Sequence, residues 1–387
     1  MSVDTEVWGV RASGVAALER ELARLRRVQG AQAREQGHVV ARASVLNIVV
    51  YATREVHARR AGQTIAELAL RHPSRAIVVH AGRAPEPAEG GDLVMHAQLQ
   101  PADAARQVRY EQILIRACGE TDEQIASAVI PLLLPDLPVF LWWTGTPPLS
   151  ASHFHELLSL ADRLIVDSAD FARPDATLPE IARVCDQGHG QYGVTDLNWT
   201  RLTPWRDLLA AFFDVPAWRP YLDSITGIRT GFAVDADGRD IHPSQALLLL
   251  GWLTSRLGWR LASSLAPSEA GGLLFAIHRA DGGRVNVRVR PRFERGVEEG
   301  HITGVRLQAE RDGRQAEFVV KRPEGAGHVT AQVIIDGARV FSRTVPLPAP
   351  GVVDLVGEEL TIARSDRVYE EELHALVALS SAGATSS

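Results

Sequence analysis

The chain has 387 residues, of which 45% are hydrophobic and 23% charged, and its formal net charge is −6. This length exceeds what one ordinary hydrophobic core accommodates, so we expect two domains of a globular protein. The negative charge argues against nucleic acid as a partner. The start of the chain lacks the basic and apolar segments of a signal peptide, and the apolar runs are about half the length of a membrane span. We therefore expect a cytoplasmic protein without membrane contact.

The first 190 residues alternate between predicted helices and strands. A leading helix over 13–36 carries an apolar stripe that includes Leu18 and Leu22. Apolar or β-branched runs predict strands at 44–52, 75–80, 92–99, 108–117, 138–143 and 163–169, with helical sequence between most of them. This alternation predicts a leading helix in 1–37 and an α/β domain in 38–190, whose mainly parallel sheet is flanked by helices.

The pattern changes in the later part of the chain. Helices are predicted at 204–213 and 243–258, alternation at 283–293 predicts a half-solvated strand, and residues 302–322 form a hairpin that turns at Asp312-Gly313. We expect a smaller α+β domain with an antiparallel sheet over 191–365, then a C-terminal helix and disordered tail over 366–387. The outward arginines of the alternating strand suit an acidic partner, although such a row is more often a solvated face: Arg284, Arg288, Arg290 and Arg292.

Familiar catalytic motifs are missing or stand in the wrong context. Gly188, Gly190 and Gly193 form a literal GxGxxG, but the motif follows a predicted helix instead of a strand, which favours a linker over a nucleotide loop. The segment HFHELL lacks the second histidine of a zinc motif, since Ser159 occupies its place. Residues 235–240 lack the spacing of a calcium loop. We therefore predict no catalytic residue, no metal and no cofactor.

Polar and aromatic residues collect at predicted strand ends and just after them. One group flanks or closes two strands and the other follows within a short span: Asp136, Trp142, Trp143, Asp167 and Ser168, then Trp199, Arg201, Trp205 and Arg206. Ligands of doubly wound sheets bind outside the carboxyl ends of strands. Arginine with tryptophan suits a sugar phosphate and a protein interface equally well. The same residues can instead fill the junction between two domains.

Three long segments carry a family resemblance: IPLLLPDLPVFLWWTGTPP, ADRLIVDSADF and DLNWTRLTPWRDLLAAFFD. In this order and spacing they resemble the glucose-6-phosphate dehydrogenase assembly protein family, OpcA, and the match spans roughly residues 40–260. The resemblance implies a non-catalytic partner that binds glucose-6-phosphate dehydrogenase and promotes its active form in the oxidative pentose phosphate pathway. It also implies that the nine strand-end residues belong to the family signature, either at the partner interface or at the domain junction.

Two alternatives to a regulatory partner stay open. A sugar-phosphate enzyme of the lactonase or isomerase type would use Asp136 or Asp167 as base and Arg201 or Arg206 as phosphate clamp. A sensor would bind a sugar phosphate without converting it.

The chain has only two cysteines, Cys118 and Cys185. Some members of the family are linked to thiol redox control. Because free buried cysteines are the usual case, we expect no redox role here.

Overall fold

The computed structural model of the protein describes residues 8–12, 15–35, 44–82, 93–103, 108–117, 122–188, 190–235, 243–262, 266–267, 272–323, 327–347, 349–361 and 366–381. The chain forms two compact units. The first comprises residues 1–167, 188–195 and 351–365, and the second comprises residues 168–187, 196–350 and 366–387. Cys118, the residues after 381 and most of the 235–240 segment lie outside the described residues.

Helices and strands alternate up to residue 196: β1 (Trp8–Ala12), α1 (Val15–Glu35), β2 (Leu46–Ala52), α2 (Glu55–Leu68), β3 (Ser74–Ala81), β4 (Leu93–Asp103), β5 (Val108–Ala117), α3 (Asp122–Val129), β6 (Val139–Trp143), α4 (Ser152–Leu158), β7 (Arg163–Val166), α5 (Pro174–Gly188) and β8 (Gly193–Asp196). The predicted leading helix and the predicted strands are confirmed. The short strands β1 and β8 were not predicted, because four or five residues give too little periodicity.

Strands dominate the later part of the chain: α6 (Leu197–Arg201), α7 (Thr203–Phe213), β9 (Ile225–Val234), α8 (Ser244–Arg256), β10 (Arg260–Leu261), β11 (Ala266–Pro267), β12 (Leu273–His278), β13 (Arg284–Phe293), β14 (Ile302–Arg311), β15 (Arg314–Lys321), β16 (His328–Ile335), β17 (Ala338–Pro346), α9 (Val352–Glu359) and α10 (Arg367–Ser381). In the part of the chain that the structure describes, no helix has the length and apolar character to cross a membrane.

The first sheet has the strand order β1-β4-β5-β3-β2-β6-β7-β8. Strands β5, β3, β2, β6 and β7 pair in parallel, whereas β4 and β1 add antiparallel strands at one edge. Every residue of β2 and β6 is buried, as expected of central strands covered on both faces. The predicted α/β class with a mainly parallel sheet is confirmed.

The second sheet has the order β10-β12-β13-β9-β14-β15-β16-β17, with β11 also paired to β12. Its neighbouring strands are antiparallel except for β13 and β9, which pair in parallel, so the predicted antiparallel sheet is confirmed and contains one parallel pair. The predicted hairpin turn is confirmed: Asp312 (φ 52°) and Gly313 (φ 72°) both have left-handed backbone, as a two-residue turn between β14 and β15 requires. In β13, Val285, Val287 and Val289 are buried, as the alternation predicts.

Candidate functional site

In the first unit, the strand order reverses beside β2. The chain proceeds from β2 to β3 on one side and resumes with β6 on the other, so the carboxyl ends of β2 and β6 flank the switch point where doubly wound sheets bind ligands. Here Tyr51 and Trp143 are register partners whose ring centroids lie 3.9 Å apart at an interplanar angle of 16°. His153 stacks against both rings, and Phe154 meets Trp143 edge-on. Stacked aromatic rings thus occupy the usual ligand crevice.

Trp142 and Trp143 are buried side chains, with exposed fractions of 5% and 0%. Trp143 contributes ring stacking, and its indole Nε1 has no hydrogen-bond partner among the described residues. The next residue, Thr144, donates from its backbone N and its hydroxyl to the Tyr51 carbonyl, at 3.0 and 3.1 Å. Both tryptophans therefore pack inside the first unit, and a partner that touched them would first have to displace their neighbours.

Asp136 lies near the amino ends of the parallel strands, opposite the switch point, in the turn that precedes β6. Its backbone has a φ of 60° and its side chain is exposed. Asn47, near the start of β2, holds this turn: its amide donates to the Leu134 carbonyl at 3.0 Å, and its side-chain oxygen accepts from the Leu134 backbone N at 2.8 Å. Since Asp167 follows the carboxyl end of β7, the two aspartates of the enzyme hypothesis stand at opposite ends of the sheet.

In the second unit, Ser168 belongs to a buried polar network centred on Asp196. One carboxylate oxygen of Asp196 accepts from the backbone N of Ser168 at 2.9 Å and of Asn198 at 2.8 Å. The Asn198 amide donates to the hydroxyls of Ser168 and Ser244, and Gln245 donates to the Asn198 side-chain oxygen. Sequence reasoning missed Asn198, Ser244 and Gln245. Asp196 before a helix was the available signal, because it is a favourable N-cap.

Trp199 joins three elements of the second unit. The Arg206 guanidinium lies 3.4 Å from the centre of its ring, the Trp199 indole N donates to Asp366 at 2.9 Å, and the Tyr369 ring packs at 5.7 Å. Burial lowers the pKa of Arg206 to about 10, because desolvation penalises its charged form. Trp205 is buried, whereas Arg201 is half-buried. This cluster holds α6, α7 and α10 together.

A second cluster consists of buried ionisable side chains on α10 and α5. Glu372 is fully buried, and neither carboxylate oxygen has a hydrogen-bond partner among the residues that the structure describes. Burial, followed by the nearby Asp196, raises the pKa of Glu372 well above its ordinary value. Burial likewise raises the pKa of the Tyr369 hydroxyl and brings that of the Cys185 thiol to about 12. For all three groups, burial favours the neutral form over the charged form.

The remaining motifs fall outside this cluster. Gly188 ends α5 and Gly193 begins β8, so the GxGxxG sequence connects a helix to a strand, the reverse of a dinucleotide loop. His153 stacks on aromatic rings. Within the described ranges, no group of three or more His, Cys, Asp or Glu side chains is arranged to hold a metal ion.

Two regions of the chain match models of one protein family. Residues 65–183 match the model described as the N-terminal domain of a glucose-6-phosphate dehydrogenase subunit, and residues 192–373 match the corresponding C-terminal domain. The chain is 36% identical to OpcA of Synechocystis sp. over 149 residues (38% of this chain), and 32% identical to OpcA of Nostoc punctiforme over 197 residues (51% of this chain). Both proteins are named for the OxPP cycle. These alignments span 30% and 40% of the relatives' own lengths.

Among solved structures, a glucose-6-phosphate 1-dehydrogenase from Mycobacterium avium aligns with a TM-score of 0.48 and 12% identity, over 86% of this chain and 91% of that one. A likeness at this level says nothing about activity. The two family models together cover well over half of the sequence. The chain belongs to the OpcA family.

Proposed function

We propose that the protein is a non-catalytic partner of glucose-6-phosphate dehydrogenase that binds the enzyme and promotes its active form in the oxidative pentose phosphate pathway. The observation that carries this proposal is the match of residues 65–183 and 192–373 to models described as domains of a subunit of that dehydrogenase. The names of the OpcA relatives, which refer to the OxPP cycle, agree with it.

The burial of the candidate residues divides their proposed roles. Six side chains are buried and stabilise the fold: Trp142, Trp143, Asp167, Ser168, Trp199 and Trp205. Of the other three, Asp136 is exposed, whereas Arg201 and Arg206 are half-buried. Asp136 is the strongest docking candidate, because its turn is rigidly hydrogen-bonded to β2 and a preorganised contact loses little entropy on binding.

The test is a titration of the purified dehydrogenase from the same organism with this protein, in which NADPH formation is followed across glucose 6-phosphate concentrations. A saturable rise in rate or fall in apparent KM, with co-elution of the two proteins from a sizing column, is the expected result. The chain alone is assayed in parallel for turnover of glucose 6-phosphate and its lactone. Turnover without the dehydrogenase would replace the proposal by the enzyme hypothesis.

Asp136→Asn tests the docking residue, because asparagine tolerates left-handed backbone and only the negative charge is lost. Asp312→Asn is the matched control, since Asp312 is also an exposed aspartate with positive φ, in the β14–β15 turn. We expect Asp136→Asn to weaken binding about tenfold, as the loss of one charged hydrogen bond does. Equal affinities of the two variants would show that Asp136 is not part of the interface. A dehydrogenase that responded to neither the native protein nor the variants would contradict the proposed function itself.

A further inference from the structure

The outward face of the second sheet carries a row of three arginines. Arg288 on β13, Arg229 on β9 and Arg306 on β14 are register partners on adjacent strands, about 5 Å apart along the row. Arg306 is paired with Glu317 at 2.8 Å. Arg229 and Arg288 have no acidic partner in the described part of the chain. Because like charges directly opposite one another destabilise a sheet, an anion bound across this row would relieve their repulsion.

The next row of register partners has two glycines at its centre. It runs from Arg290 through Gly231 and Gly304 to Lys321, so two cations flank two glycines. A methyl group built on Gly231 would lie 2.6 Å from the Thr303 hydroxyl oxygen and too close to be accommodated without movement. The Thr303 hydroxyl therefore lies in the space above Gly231, and the two glycines place no side chain of their own between Arg290 and Lys321.

These rows line a cavity of about 570 Å³. Of the described residues, six arginines, one lysine and a single acid, Glu294, line it. The Nε atoms of Arg290 and Arg322 are buried there and have no hydrogen-bond partner among the described residues. Burial lowers the pKa of Arg322, with Glu294 as the opposing influence, so this guanidinium is short of compensating charge. The exposed Phe293 ring lies at the same cavity.

We infer that this arginine groove, defined by Arg229, Arg288, Arg290, Arg292, Lys321 and Arg322 around Gly231 and Gly304, binds a small phosphate ester that carries two or more negative charges. Guanidinium groups form paired hydrogen bonds to phosphate oxygens, and several that converge on one depression recognise more than one charge. The cavity has the volume of a small-molecule site. Its concave shape favours a compact anion over an acidic protein surface. This inference goes beyond the proposed function, because it concerns the chain alone.

Pyrophosphate is the probe, titrated by calorimetry into the purified full chain at low and at raised salt. We expect one saturable site whose affinity falls as salt increases. Arg229→Gln, at an exposed position without an acidic partner among the described residues, is expected to weaken binding about tenfold. Arg284→Gln is the matched control, because Arg284 lies on the same outward face of β13 but outside the cavity lining, and binding should change less than about twofold.

Three outcomes would overturn the inference: no saturable heat with pyrophosphate, equal losses in the two variants, or binding of polyglutamate that pyrophosphate does not displace. The last outcome would assign the face to an acidic protein. Circular dichroism of each variant establishes that the fold is retained. Since the dehydrogenase is absent from this experiment, its result is independent of the proposed function.

Discussion

Glu372 gives the sharpest test of the structure, because it is a carboxylic acid buried on α10 without a hydrogen-bond partner among the described residues. Its side chain lies against α8, where a methyl group built on Gly251 would come within 2.5 Å of its Oε1. The charged groups that act on it are Asp196 and Asp366, which raise its pKa, and Arg206, which lowers it. Burial is the largest cause and leaves the pKa raised, so folding takes up a proton at this site.

Because of Glu372, the free energy of unfolding should fall as the pH rises. The stabilising protonated form is fully present below the unfolded pKa of about 4.3 and is lost as the pH rises toward the folded pKa. Between these two values Glu372 lowers the free energy of unfolding by up to about 1.4 kcal/mol per pH unit. Glu372→Gln replaces the protonated acid by a neutral side chain of the same shape and removes this loss.

We therefore expect Glu372→Gln to be more stable than the native protein near pH 8, and the advantage to shrink as the pH falls toward about 5. Urea unfolding followed by tryptophan fluorescence at several pH values measures it. Glu371→Gln is the control, because Glu371 is exposed and paired with Arg256, so its removal should cost less than about 1 kcal/mol at every pH. An advantage that stays constant with pH would refute the reasoning, since Glu372 would then be ionised in the folded protein.

Three further variants or reactions test the packing of each unit. Trp143→Ala should lower the free energy of unfolding by about 3–5 kcal/mol, because it removes a fully buried ring that stacks on Tyr51; a cost typical of a surface site would contradict this burial. Cys185 should react with a thiol reagent at pH 8 about a thousandfold more slowly in the native protein than in urea, since its raised pKa leaves little thiolate, and equal rates would contradict the raised pKa. Gly251→Ala should cost about 1–3 kcal/mol in urea unfolding, because the added methyl would lie 2.9 Å from the Glu372 carbonyl oxygen as well as close to its carboxyl group. If Gly251→Ala left the free energy of unfolding unchanged, α8 and α10 would pack less closely than the structure shows.

The elements with strong periodicity could be predicted from the sequence. The apolar run of β2 and the alternation of β13 specify their burial directly, and the Asp312-Gly313 turn specifies the β14–β15 hairpin. The parallel pairing of β13 with β9 was not predictable, because an alternating strand reads the same in either direction. Strand β1 was missed for a different reason: its five residues give too little periodicity, and they acquire their place through pairing with β4.

The candidate site was harder to predict than the fold. Trp142 and Trp143 stand next to a proline-rich turn, a context that suits an exposed anchor as well as a core residue, and only the contact of Trp143 with Tyr51 and His153 distinguishes the two. Glu372 gave no signal at all, since an acid on an amphipathic helix is normally solvated. Burial of such groups depends on long-range packing, which local sequence does not encode.

The two sheets also bear differently on ligand binding. At the switch point of the first sheet, the rings of Tyr51, Trp143 and His153 stack on one another where doubly wound sheets commonly bind ligands. On the second sheet, Arg229 and Arg288 are register partners, and neither has an acidic partner among the described residues, so their like charges repel each other. The aromatic stack therefore supports the proposed non-catalytic role and the arginine row supports the proposed anion site, and the dehydrogenase and pyrophosphate titrations test the two proposals independently.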